Sequence, residues 1–119
     1  MNIMIYQYKK NFEVQKAQRF LKERRIAFQV VDMKKHQLGM KELELFAYKG
    51  GIKSLIDSSN PKVKEHPISY TSDGDRILSY LSENPEFLKT PIIRMGRRII
   101  IGFDEETLTE WISKKEESK

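Results

Sequence analysis

The sequence predicts an α/β chain with a four-stranded mixed sheet, built from a βαβ unit, an inserted helical stretch and a ββα unit. Two observations near the N-terminus and one near the C-terminus predict it. A short apolar run from Ile3 to Tyr6 is followed by Val14, Ala17, Phe20 and Leu21 at helical spacing. A second run rich in β-branched and aromatic residues, Ile26 to Asp32, comes directly after. Farther on, Pro91-Ile92-Ile93 and Arg98 to Phe103 flank a glycine-containing turn at Met95-Gly96, the pattern of an antiparallel hairpin.

Taken in order, the strand Ile3 to Tyr6 leads through a polar turn, Gln7 to Lys10, into the first helix. Asn11 stands at the N-cap position and Glu13 in the first turn, so unpaired backbone N–H groups and a positive dipole end converge there. After Ile26 to Asp32, a polar connection from Lys34 to Gly39 precedes Met40, Leu43, Phe46 and Ala47, a helical face that Gly50-Gly51 terminates. Ile52, Leu55 and Ile56 suggest one further turn, whereas Asp57 to Thr71, polar and with two prolines, reads as an irregular, mobile surface crossing. Ser72 is expected to cap a helix carrying Ile77, Leu78 and Leu81, broken at Asn84-Pro85, with a last turn over Glu86 to Leu88. Beyond the hairpin, Asp104 caps a final helix with Leu108, Trp111 and Ile112 on one side, and Lys114 to Lys119 reads as a frayed, charged tail. A βαβ and a ββα unit sharing one sheet give a thioredoxin-like arrangement, one of several α/β layouts the pattern allows. The expectation is a single domain over residues 1–119, with the helical insertion at about 38–89.

Composition narrows the chemistry. There is no cysteine, which excludes disulfides, thiolate metal sites and thiol catalysis. No apolar run approaches a membrane span and no secretory signal opens the chain, so a cytoplasmic protein without membrane contact is expected. His36 and His66 read as solvated surface residues rather than metal ligands, and neither metal nor cofactor is expected. The net charge of +5 is concentrated: Lys and Arg outnumber Asp and Glu by 12 to 6 over residues 1–60, against 10 to 11 over the rest. Lys9, Lys10, Lys16, Arg19, Lys22, Arg24 and Arg25 crowd the first helix and the loop before it. No aromatic residues interleave with them for base stacking, so a solvated helix face is favoured over direct nucleic-acid binding.

The order of signals resembles the arsenate reductase (ArsC) and Spx family of thioredoxin-fold proteins. The resemblance runs from Ile3 to Ile112. Ile5-Tyr6, Lys16-Ala17, Phe20-Leu21, Gly50-Gly51, the segment Asn84-Pro85-Glu86-Phe87-Leu88-Lys89-Thr90-Pro91-Ile92-Ile93, and Gly102-Phe103 carry it. It implies that a reductase's cysteine would stand at Asn11, and that its two oxyanion arginines would stand at Thr90 and near Ser58 or Ser59. Nucleophile and charge partners are therefore absent together, and no catalytic residue is assigned. The resemblance also implies a cis-proline at Pro91 facing the first helix, which with Lys9, Lys10, Asn11, Thr90 and Arg94 would line a vestigial anion or peptide groove. It implies further that Gly50 or Gly51 falls where Spx-type regulators touch RNA polymerase, with Lys16 and Arg19 as additional candidate contacts. The expected function is non-catalytic binding, with RNA polymerase as the expected partner and a monomer as the expected state. The alternative is a reductase-related enzyme whose active site is degenerate or relocated.

Overall fold

The computed structural model describes residues 2–117 of the chain. Strands β1 (Ile3–Gln7), β2 (Phe28–Asp32), β3 (Ile92–Met95) and β4 (Arg98–Ile101) form one sheet in the order β2-β1-β3-β4. β1 runs parallel to β2, with Ile5 opposite Val30, and antiparallel to β3, with Ile5 opposite Ile93. β3 and β4 form the expected hairpin, turning at Gly96, whose φ of +64° a glycine adopts without strain. This is the mixed thioredoxin-like arrangement.

The period-two alternation of the strands sorts the core onto two faces. On one face Ile3, Ile5, Ile93 and Ile100 pack against Ala17, Phe20 and Leu21 of α1 (Phe12–Glu23) and against Leu108 and Trp111 of α5 (Glu105–Glu117). On the other, Tyr6, Ile92 and Ile99 meet the helices that lie between β2 and β3: α2 (Met40–Gly50), α3 (Pro61–Glu65) and α4 (Gly74–Glu83). Tyr6 and Phe46 meet edge to face, with centroids 5.0 Å apart. Gly51 ends α2 at φ +86°, its N–H donating to Ala47 O at 2.9 Å. Among the described residues no helix is long and apolar enough to cross a membrane.

Four local expectations need correction. The segment from Asp57 to Thr71 is ordered: Asn60 caps α3 through Lys62 N–H, and a 3-10 turn over Pro67–Ser69 follows. Val63 and Ile68, isolated apolar residues in a polar stretch, insert into the core, where burying them stabilises the crossing. The cap of α4 is Asp73 rather than Ser72, because its carboxylate reaches the N–H groups of Asp75 and Arg76. His66 is not a solvated residue: its Nδ1 accepts from Ile68 N–H at 3.0 Å, and its ring packs edge-on against Tyr80 and Phe87. Finally, α5 continues to Glu117, so most of the expected frayed tail is helical, while residues 118–119 lie outside those described.

Because the crossing is anchored by two buried side chains, Val63→Ala and Ile68→Ala are each expected to cost about 1–4 kcal/mol of unfolding free energy. Urea titration should show this loss, whereas the exposed neighbour Lys64→Ala should stay within about 0.5 kcal/mol of wild type.

Candidate functional site

The end of the sheet where β1 passes into α1 is where strand, helix and the approach to β3 meet. Asn11 sits there in an extended conformation (φ −117°, ψ 179°) and its side chain works in two directions. Oδ1 accepts from Val14 N–H at 2.8 Å, capping α1 as expected. Nδ2 donates to Thr90 O at 3.2 Å and to Thr90 Oγ1 at 3.0 Å. The peptide bond between Thr90 and Pro91 is cis.

Thr90 is held from both sides in sequence. Before it, Lys89 N–H donates to Leu55 O and Asp57 N–H to Phe87 O, each at 2.8 Å, around a bridge pairing Ile56 with Leu88. After it, Pro91 O accepts from Gly102 N–H at 2.7 Å. Gly102 has φ +88°, and Phe103 beside it stacks edge-on against Phe20 of α1 at 5.8 Å. The segment from Phe87 to Pro91 and the pair Gly102-Phe103, which carry part of the family resemblance, thus fix this corner.

Of the expected groove residues, the structure brings Asn11, Thr90 and Pro91 together. Lys9 and Lys10 are exposed on the loop leading into Asn11. Arg94 does not join them. It sits opposite Met4, on the face occupied by Tyr6 and Ile92, and strand alternation places it there. Its Nε donates to Gly96 O at 2.8 Å and its Nη1 to the Tyr6 hydroxyl at 3.4 Å. Ser58 and Ser59 lie exposed in the loop before α3, and neither carries positive charge.

The candidate partner contacts divide as well. Lys16 and Arg19 are exposed on α1, whereas Gly50 and Gly51 end α2 on the opposite side of the sheet, so the four do not form one patch. Sequence reasoning missed Phe12. The first residue of α1 is 71% exposed, next to Asn11, with Lys16 Nζ over its ring at 4.7 Å. The available signal was an aromatic residue outside the apolar stripe formed by Val14, Ala17, Phe20 and Leu21.

Beneath the other face, the Tyr6 hydroxyl also donates to Glu42 Oε2 at 3.4 Å. Burial raises the Tyr6 pKa above the ordinary 10.0. Its hydrogen bond with Arg94 opposes the rise, and the Glu42 charge adds to it. Glu42 Oε1 in turn meets Gly39 N–H at 3.2 Å and His36 Nε2 at 3.3 Å.

At Asn11 the arrangement can order a helix terminus and a neighbouring strand edge. The Asn11 amide itself is a poor nucleophile, because its lone pair is delocalised, and with no cysteine in the chain no thiol stands at this helix terminus. Among the described residues no group of three or more His, Asp or Glu side chains is placed to hold a metal ion.

A family model described as "ArsC family" matches residues 6–111. Solved structures similar to this chain include an arsenate reductase from Vibrio cholerae (18% identity, TM-score 0.80, covering 92% of this chain and 97% of that one). A putative ArsC family related protein from Bacteroides fragilis is 20% identical, with TM-score 0.79 and coverage of 92% and 97%. A protein from Staphylococcus aureus COL is 27% identical, with TM-score 0.77 and coverage of 91% and 96%. No curated protein matches the sequence.

Two outcomes follow. Asn11→Ala removes the cap and the tie to Thr90 together and should lower unfolding free energy by about 1–2 kcal/mol in urea titration. Thr90→Val keeps the cap and the carbonyl contact and should cost under about 1 kcal/mol. For Tyr6, the folded state holds the hydroxyl proton more tightly than the unfolded chain does. Its contribution to stability is therefore full below pH 10.0 and is lost as pH rises through the higher folded value. Thermal melts across that alkaline range should fall less steeply for Tyr6→Phe than for wild type.

Proposed function

The chain belongs to the ArsC family, and from that premise we propose that it is a non-catalytic member, one that binds a protein partner instead of reducing an oxyanion. The observation that carries the reading is the use of Asn11: both ends of its amide are engaged, at Val14 and at Thr90, in a chain without cysteine. The groups that would stabilise a developing oxyanion are missing at Thr90 as well, and losing even one such donor typically costs on the order of 3 kcal/mol of barrier. The neighbouring surface suits contact with protein. Phe12 offers an exposed aromatic face beside Arg19, residue types enriched at interfaces, and Lys9, Lys10 and Lys16 around it add positive charge complementary to an acidic surface.

An acidic surface of RNA polymerase is the first partner to test, on the strength of the resemblance to Spx-type regulators. The glycines near the end of α2 do not weigh on the choice, since φ +86° at Gly51 already follows from stopping a helix. For the same reason Gly51→Arg is a poor probe: it would strain the cap whether or not a partner binds there.

Incubation with arsenate and either a glutathione or a thioredoxin system should give no turnover above background. Asn11→Cys should acquire a reactive thiol, measurable by alkylation rate, yet remain without arsenate turnover because Thr90 supplies no charge. Immobilised wild type should retain RNA polymerase, and the exposed double variant Lys16→Glu/Arg19→Glu should lose it. Turnover by wild type would overturn the non-catalytic reading, and failure to retain polymerase would overturn that choice of partner.

A further inference from the structure

The face of the sheet opposite α1 is not fully covered. Over β1 and β2 lies an open recess of about 730 Å³, within the size range of small-molecule sites. Met4 and Val31, both half-buried, contribute apolar surface to it, and charged side chains stand around them.

Arg94 lines this recess without a direct ion pair among the described residues. Both of its hydrogen-bond partners, Gly96 O and the Tyr6 hydroxyl, are neutral, and among the described residues no carboxylate oxygen lies within 4.0 Å of it. A guanidinium has five N–H donors, so most of this one's remain unused. Glu42 is close by. Its Oε2 and Arg94 Nη1 each stand 3.4 Å from the same Tyr6 hydroxyl, so the two charges are separated by at most twice that distance without touching. Asp32 and Lys35 also line the recess and keep the two signs in balance.

That balance selects among ligands. A phosphate or other polyanion would meet the carboxylates of Asp32 and Glu42, and a simple cation would meet Arg94 and Lys35. A molecule carrying one charge of each sign on neighbouring atoms meets complementary charge at both ends, and its apolar body can cover Met4 and Val31. We propose that this recess binds a small zwitterion with an apolar side chain, the α-amino-acid class. Its carboxylate would accept from Arg94 and its ammonium would face Glu42 and Asp32. The site is separate from the corner at Asn11 and does not depend on the binding role proposed for it.

The test is an NMR titration of the full chain, following backbone amides, with three probes that share one aromatic body. They are L-phenylalanine, 3-phenylpropanoate (carboxylate alone) and phenethylamine (ammonium alone). L-phenylalanine should shift the amides of Met4, Val31 and Arg94 saturably, and bind at least about tenfold more tightly than either single-charge probe, the scale of one charge-assisted hydrogen bond. Arg94→Gln should weaken L-phenylalanine about tenfold or more and leave phenethylamine unchanged. Glu42→Gln keeps the side-chain length that reaches Gly39 and serves as the second variant. It should weaken L-phenylalanine and phenethylamine but not 3-phenylpropanoate. The proposal is overturned by shifts that do not saturate up to the solubility limit, by shifts centred elsewhere, by equal affinity for a single-charge probe, or by variants that leave L-phenylalanine binding intact.

Discussion

The side-chain amide of Asn11 joins the two halves of this molecule. A helix that starts directly after a strand exposes N–H groups that need an acceptor, and the segment approaching β3 exposes a carbonyl that needs a donor. Asn11 supplies both, with Oδ1 to Val14 and Nδ2 to Thr90. An amide is well suited to this because it carries an acceptor and two donors on one short, neutral group. A carboxylate would cap the helix but offer Thr90 no proton, and a thiolate would do neither as well.

The remainder of the corner is arranged around that contact. The pairing of Ile56 with Leu88 brings the chain up to Thr90, and the bond from Gly102 N–H to Pro91 O ties in the end of β4. Four separate stretches of sequence therefore converge on one point while each satisfies its own backbone. In the reductases that this family is named for, such a corner would hold the reacting group. Here an amide without a thiol stands at that point, tied to Val14 and Thr90, and Phe12, Lys9, Lys10 and Lys16 are exposed beside it.

The sheet separates the molecule's two candidate surfaces as well as its two cores. α1 and α5 cover one face with Phe20, Leu21, Leu108 and Trp111. On the other, the helices between β2 and β3 bury Tyr6, Ile92 and Ile99 but leave Met4 and Val31 half-buried. Arg94 follows the same alternation. It is two residues along from Ile92, so it shares that residue's face and is carried away from the groove at Asn11.

Periodicity and punctuation made most of the architecture legible. Continuous apolar runs at Ile92-Ile93 and Ile99-Ile100, helical spacing from Val14 to Leu21, and the caps at Asn11 and Asp104 are local signals, and local physics sets the element they encode. The crossing between Asp57 and Thr71 was misread because Val63 and Ile68 form no periodic pattern; their role depends on a core assembled from distant residues. By itself the sequence determined the absence of thiol chemistry, since that follows from which atoms are present. Only the tertiary structure decided that Asn11 reaches Thr90, that Arg94 faces the other way and that Met4 and Val31 remain partly uncovered, because each depends on pairing register and packing between segments far apart in the chain.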